Sequence, residues 1–301
     1  MKIAVIDLGT NTFNLSIGLW ENNQLTFLHS EKEGVALGMG GINEQIISLD
    51  AMERAQKCLK RFSQKCMDYG ALHVRAIGTS AIRDARNKVE FLNAIKKQTG
   101  FEVEVIDGHR EAELIYKGIN YSCEFSNSSM IMDIGGGSTE FIEVNNGIMS
   151  SAVSLDIGVS RVYQMFSLND PLSEDNIIQL ESFFENKSNG FFENKKCHTL
   201  VGASGSFETF YELVHRQKFP KGFKTQTIDL NKFQIQLSEI IRSTQAERDK
   251  NDFIIPIRKK MAPIAAVKSQ WVMKKLSVEV LIISPCSLKE GVFVELRDLA
   301  N

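Results

Sequence analysis

The sequence predicts an α/β protein built from two copies of one βββαβαβα unit, and three observations carry that prediction. At 301 residues the chain is about twice the size of a typical domain. The same order of strand-like and helix-like patterns is written twice along it. The opening hairpins of the two halves also match residue by residue. Ile6-Asp7-Leu8-Gly9 and Met132-Asp133-Ile134-Gly135 are each an apolar residue, an Asp, an apolar residue and a Gly, 126 positions apart. Hydroxyl side chains follow in both, Thr10 and Thr12 in one and Ser138 and Thr139 in the other.

The first half opens with strand-like runs at 3–7, 13–20 and 25–31, joined by tight polar turns. A helix is expected from about Asp50, where Glu53 three residues on suggests a capping box, to Tyr69, with Gly70 ending it. Its apolar stripe is Ala51, Ala55, Cys58, Leu59, Phe62 and Cys66. A strand at 72–79, one helix from Ser80 to Gln98, a strand at 101–107 and a helix from about Arg110 follow. In the second half, strands are expected at 129–135, 138–145 and 147–156, and helices near 158–167 and 173–186. A strand at 198–204 then leads into the helix GSFETFYELVHR, and a strand at 278–284 precedes a closing helix. The domain reading is 1–120 and 121–286, with the closing helix 287–301 free to pack back on the first domain.

Composition narrows the function. The apolar share of 43% suits a globular protein with two cores. With 35 basic against 37 acidic residues, wholesale nucleic-acid binding is not expected, and a polyanion site would have to be a local patch. Five cysteines without a CxxC pair suggest neither a disulfide framework nor zinc, and fit reduced thiols in a cytoplasm. The start reads as a buried strand rather than a signal peptide, and no apolar run is long enough for a membrane span.

The chemistry is concentrated in DLGTNTF (7–13) and DIGGGSTEF (133–141). Glycines let backbone approach a ligand closely, consecutive N–H groups form an anion nest, and Thr and Ser add donors. An Asp at the strand end supplies a hard oxygen suited to Mg²⁺. A single such loop reads more readily as a plain hairpin; two matched loops favour a grip on a phosphate chain. No GxxxxGK[ST] is present, and Gly135-Gly136-Gly137 leads into a strand, against a dinucleotide fingerprint.

Together, IAVIDLGTNTFNL, AIGTSAIRDARN, IDGHREAELIYKGI, MDIGGGSTEFI and VGASGSFETF resemble, in order, the exopolyphosphatase/guanosine pentaphosphate phosphatase (Ppx/GppA) family in its short two-domain form. The resemblance is dense from residue 3 to about 210, and SPCSLKEGVFVEL (284–296) looks like the family's two-domain ending. It implies two ribonuclease H-like domains of the actin-like superfamily, which also holds sugar kinases and heat-shock chaperones, with an interdomain cleft.

The resemblance also implies roles. Glu111 stands where the family has its water-activating glutamate. Glu113 is the rival, but two residues apart on a helix is about 200° around it, so only one of the two can face the site. Arg110 stands where the family often has an acidic residue, which leaves open an effect on substrate or a solvent-facing side chain. Asp133 and Glu140 look like metal-associated carboxylates, with Asp7 as counterpart, and Mg²⁺ (or Mn²⁺) is the implied cofactor. Arg83 would hold a phosphate, the alternative being an ion pair with Asp84 or Glu111. Gly9, Thr10, Asn11 and Thr12, then Gly135, Gly136, Gly137, Ser138 and Thr139, are the expected phosphate loops. Gly202, Ser204, Gly205 and Ser206 open a helix after a strand, a favourable place for an anion. The basic segments 215–224 and 258–260 either extend an anion track or are solvated.

The expected activity is metal-dependent release of terminal orthophosphate from inorganic polyphosphate. Guanosine pentaphosphate (pppGpp) hydrolysis at the same site is the nearest alternative; an ATP-dependent kinase or a non-catalytic polyanion sensor are alternatives of another class. No nucleic-acid or membrane partner is expected, and a homodimer is left open.

Overall fold

The computed structural model describes residues 2–125 and 127–300. The chain divides into two compact units, Met1–Gly118 with Leu288–Asn301, and Ile119–Ser287.

The first unit is a five-stranded sheet of order β3-β2-β1-β4-β5, with β1 (Ile3–Leu8), β2 (Phe13–Glu21), β3 (Gln24–Glu33), β4 (His73–Gly78) and β5 (Val103–Val105). The first three strands are antiparallel, and β4 and β5 continue parallel to β1. Alternation splits the faces of β1. Ala4, Ile6 and Leu8 join a buried cluster with Ala55, Leu59 and Phe62 of α1 (Leu49–Tyr69) and Phe91 and Ile95 of α3 (Lys88–Thr99). Val5 and Asp7 point to the other face. Arg75, the cross-strand partner of Val5, meets α11 (Leu288–Ala300) on that side.

Two local expectations are corrected. The cap of α1 is Ser48, whose hydroxyl accepts from the N–H of Ala51, rather than Asp50; Gly70 does end the helix in left-handed conformation. The helix expected from Ser80 to Gln98 is two helices, α2 (Ser80–Arg83) and α3. The break arises from distant partners: the Asn87 side chain bonds both the N–H and the carbonyl of Ile47, and the N–H of Arg86 donates to the carbonyl of Gln45. Helix α4 (Gly108–Ser122) follows β5.

The second unit repeats the plan: β6 (Ser129–Ile134), β7 (Thr139–Asn145), β8 (Ile148–Leu155), α5 (Val159–Met165), α6 (Glu174–Ser188), β9 (Thr199–Ala203) and α7 (Ser204–His215). Its sheet order is β10-β11-β9-β6-β7-β8. Strand β11 (Val280–Ile283) is parallel to β9, and a short strand missed in the sequence, β10 (Gln226–Ile228), adds an antiparallel edge. Helices α8 (Leu230–Arg242), α9 (Gln245–Asp249) and α10 (Ala262–Leu276) fill the interval before β11. Arg258 ends a 3₁₀ turn, Pro256–Arg258, ahead of α10.

The duplication reaches the register. Asp7 pairs with Asn14 across β1–β2, and Asp133 with Glu140 across β6–β7. The outer hairpins slip at matching places, between Ile17 and Gly18 and between Glu143 and Val144. A bulge kept at the same offset in both hairpins is a feature of the shared plan rather than a local accident.

Candidate active site

Each hairpin carries its loop in the same way. A Cβ on Gly9 would lie 2.9 Å from the Thr12 carbonyl oxygen, and one on Gly135 3.0 Å from that of Ser138. Behind the first loop, the carbonyls of Thr10 and Asn11 accept from the N–H groups of Gly38 (3.0 Å) and Ala36 (2.8 Å). Behind the second stands the start of α5. Val159 N–H donates to the Gly135 carbonyl at 3.0 Å, Ser160 N–H to Gly136 at 2.8 Å, and Gly158 N–H to Gly137 at 3.2 Å. The buried Arg161 adds its Nε to the Gly137 carbonyl at 2.9 Å. In a planar trans peptide the carbonyl and the next N–H point in opposite directions. With these carbonyls turned backward, the N–H groups of Gly136, Gly137 and Ser138 face the other way, as do those of Asn11 and Thr12, in the manner of an anion nest. The loop and the α5 segment touch so closely at Gly158 that a Cβ there would fall within 2.4 Å of backbone atoms of Gly136 and Gly137.

The carboxylates of the second hairpin are buried side by side. Asp133 and Glu140 face each other across the ladder, 5% and 1% exposed. Asp133 accepts from Ser204 at the start of α7 (Oδ1, 2.5 Å) and from Ser287 (Oδ2), and Glu140 from Ser154 at 2.7 Å. Asn14 replaces the second carboxylate in the first hairpin, and its amide donates to Asp7 at 2.9 Å. Among the described residues, no three His, Cys, Asp or Glu side chains gather as a metal cage.

Glu111 sits in the first turn of α4, which Asp107 caps by accepting from the N–H of Arg110 at 2.8 Å. Its side chain is buried and accepts from Arg83 Nη1 at 2.8 Å, while Arg83 Nε stands 3.5 Å from Asp84. Thus the ion pairs weighed as an alternative for Arg83 are both formed. Glu113 diverges from Glu111, pairing with Arg110 at 2.9 Å and His109 at 3.3 Å. Arg110 is half-buried and paired: it bonds Glu113 and Glu295 of α11. Glu295 also accepts from Arg75 at 2.6 Å and Lys117 at 2.9 Å. Burial opposes its ionisation, but those three cations outweigh burial and bring its carboxyl down to about 2. Helix α11 crosses α4 at Gly291, where a Cβ would lie 1.7 Å from the Leu114 carbonyl oxygen. The helix bearing Glu111 is therefore braced from behind.

Gly202 is the next-to-last residue of β9, and Ser204, Gly205 and Ser206 open α7. Across Gly205 lies the Arg258 guanidinium, which also donates to Thr209 at 3.0 Å, so that this basic residue covers a helix start rather than extending into solvent. Within 215–224, Lys218 pairs with Glu212 at 3.1 Å. The five cysteines are buried free thiols, and burial pushes Cys58 and Cys197 up to about 12, which makes them poor nucleophiles.

The sequence reading missed Ser287, Arg161, Gly158, Ser154 and Lys268. Only Lys268 leaves a sequence signal, as a lone lysine inside the apolar run IAAVKSQWVM. It is fully buried in α10, and burial pushes its ammonium down to about 7 against the opposing field of Glu140.

The sequence signature of the Ppx/GppA phosphatase family matches residues 18–299. The chain belongs to the Ppx/GppA phosphatase family. Among solved structures, an exopolyphosphatase from Cytophaga hutchinsonii is similar at 36% identity over 99% of this chain and 98% of its own, with a TM-score of 0.95. The Aquifex aeolicus PPX-GPPA enzyme is similar at 25% identity over 98% of this chain and 99% of its own, with a TM-score of 0.81. The two-unit plan is thus that of a Ppx/GppA phosphatase, and the chain is a phosphohydrolase of this kind. No described helix is long and apolar enough to cross a membrane.

Proposed function

We propose that this phosphatase releases orthophosphate from the end of inorganic polyphosphate, with Glu111 as general base and a divalent cation held by Asp133 and Glu140. The observation that carries the reading is the buried Glu111 fixed by Arg83 at 2.8 Å. A carboxylate oriented by a guanidinium can take the proton of a water within hydrogen-bond reach, which is worth ~10²–10⁴ in rate. The water oxygen then attacks the terminal phosphorus in line while the bond to the bridging oxygen breaks. Gly9, Thr10, Asn11 and Thr12 are assigned to phosphate oxygens through their backbone and hydroxyl groups. So are Gly135, Gly136, Gly137, Ser138 and Thr139, and the α7 start at Gly202, Ser204, Gly205 and Ser206. Arg83 would orient Glu111 and offset charge on the transferring group.

Two adjacent buried carboxylates, each oriented by hydroxyl donors, fit Mg²⁺ or Mn²⁺, which take hard oxygen ligands and complete their shell with water and phosphate. When bound, such an ion lessens repulsion between carboxylate and phosphate and polarises phosphoryl oxygens.

The test is orthophosphate release from polyphosphates of defined length and from guanosine pentaphosphate, with and without Mg²⁺. Higher kcat/KM on polyphosphate, with release dependent on Mg²⁺, is expected. Preference for the nucleotide would move the substrate assignment to pppGpp at the same site, and full activity in chelator would remove the metal from the proposal.

A further inference from the structure

The second loop has a buried cation behind it that the proposed chemistry does not use. Lys268 Nζ donates to Thr139 Oγ1 at 2.8 Å and to the carbonyl of Ile157. Thr139 is the last residue of the glycine loop. Ile157 immediately precedes Gly158, with which the α5 segment begins to take up the loop's carbonyls. One ammonium therefore ties the end of the loop to the start of its support. The Phe184 ring centroid lies 5.4 Å from the Lys268 nitrogen, and the Glu140 carboxylate also acts on it.

Burying this lysine is costly. Taking an ammonium out of water costs several kcal/mol, and a packed apolar side chain in such a place is often neutral or better. Lys268 is 0% exposed, as is Thr139. What an apolar side chain cannot do is bridge the Thr139 hydroxyl to the Ile157 carbonyl, or set a positive charge behind a row of N–H groups aimed at an anion.

We propose that Lys268 is a positioning residue for the Gly135–Thr139 loop, locking it against Ile157–Arg161 so that its N–H groups stand ready for a phosphate. The bridge preorganises the anion nest before substrate arrives, and the reading rests on that loop being a phosphate site. A loop freed of it samples other peptide orientations and must be reordered on binding, which lowers affinity.

The experiment compares the full-length wild type with Lys268→Met and Lys268→Gln by thermal midpoint, amide hydrogen exchange of residues 135–139 and 156–161, and calorimetric binding of inorganic triphosphate with Mg²⁺. The expected result for Lys268→Met is a protein that still folds cooperatively, with exchange at least about tenfold faster in the two segments alone and triphosphate affinity about tenfold weaker or more. Lys268→Gln, which loses the charge and the reach but stays polar, should loosen the same segments and decides the matter if the Met variant does not fold. Wild-type exchange and affinity in a folded variant would overturn the proposal. A wild type that binds triphosphate yet releases no orthophosphate from any substrate would instead defeat the functional reading, and the exchange and affinity comparisons would still decide Lys268.

Discussion

Arg83 Nη1 donates to Glu111 Oε2 at 2.8 Å, joining a residue of the short helix α2 to the first turn of α4 across 28 positions of sequence. Both side chains are largely buried, so the pair is shielded from the screening that weakens surface ion pairs. The guanidinium holds the carboxylate in one orientation. Arg83→Ala should therefore lower kcat for orthophosphate release by about 10²-fold or more. Arg83→Lys, a point charge without the planar fork, should recover only part of it. Steady-state kinetics on triphosphate measures both, and an unchanged kcat in Arg83→Ala would count against the role.

Ser287 and Ser204 occupy the two oxygens of Asp133. In the proposal above Asp133 holds the cation, and removing the outer partners of a metal ligand typically changes metal affinity by 10–100-fold. Ser287→Ala is expected to raise the Mg²⁺ concentration for half-maximal rate by about tenfold, with little change in the rate at saturating Mg²⁺. A Mg²⁺ titration of the two proteins side by side checks it.

Gly158 has no room for a methyl group, because the atoms it would strike are backbone and cannot turn aside. Gly158→Ala should cost at least about 1–3 kcal/mol of stability and loosen the glycine loop. The urea midpoint reads the first effect and triphosphate affinity the second.

The Glu295 cluster links stability to acid. Burial disfavours the ionised carboxylate, but Lys117, Arg75 and Arg110 hold its pKa at about 2, below the 4.5 of a free Glu. As pH falls, the unfolded chain takes up this proton first. The cluster's stabilisation is thus complete above about 4.5 and is lost toward about 2. It is worth on the order of 3 kcal/mol at neutral pH. Glu295→Gln should be less stable than wild type at pH 7, with the gap closing as pH is lowered through that window. Parallel denaturation curves from pH 7 to 2.5 measure it.

Sequence reading reached the parts of this molecule that local pattern determines. The matched Asp–apolar–Gly hairpins announced the duplication because the side-chain period of a strand and the turn chemistry of glycine are local. Divergence of Glu111 from Glu113 followed from helical rotation alone. What stayed hidden depends on distant partners. Asn87 breaks the helix expected from Ser80 to Gln98 only because Ile47 is there to bond it. Gly158 supports a loop more than twenty residues earlier, and Ser287 reaches Asp133 from 154 positions away. Arg110 could not be placed from the sequence, because its partner Glu295 lies in the last helix.

The central claim is that Glu111 removes the proton from the attacking water. Its most direct test is orthophosphate release by Glu111→Gln, a change that keeps the shape and takes away the base. The account predicts that release falls by about 10²–10⁴-fold while calorimetric binding of polyphosphate persists near the wild-type value. Turnover undiminished in that variant would contradict it.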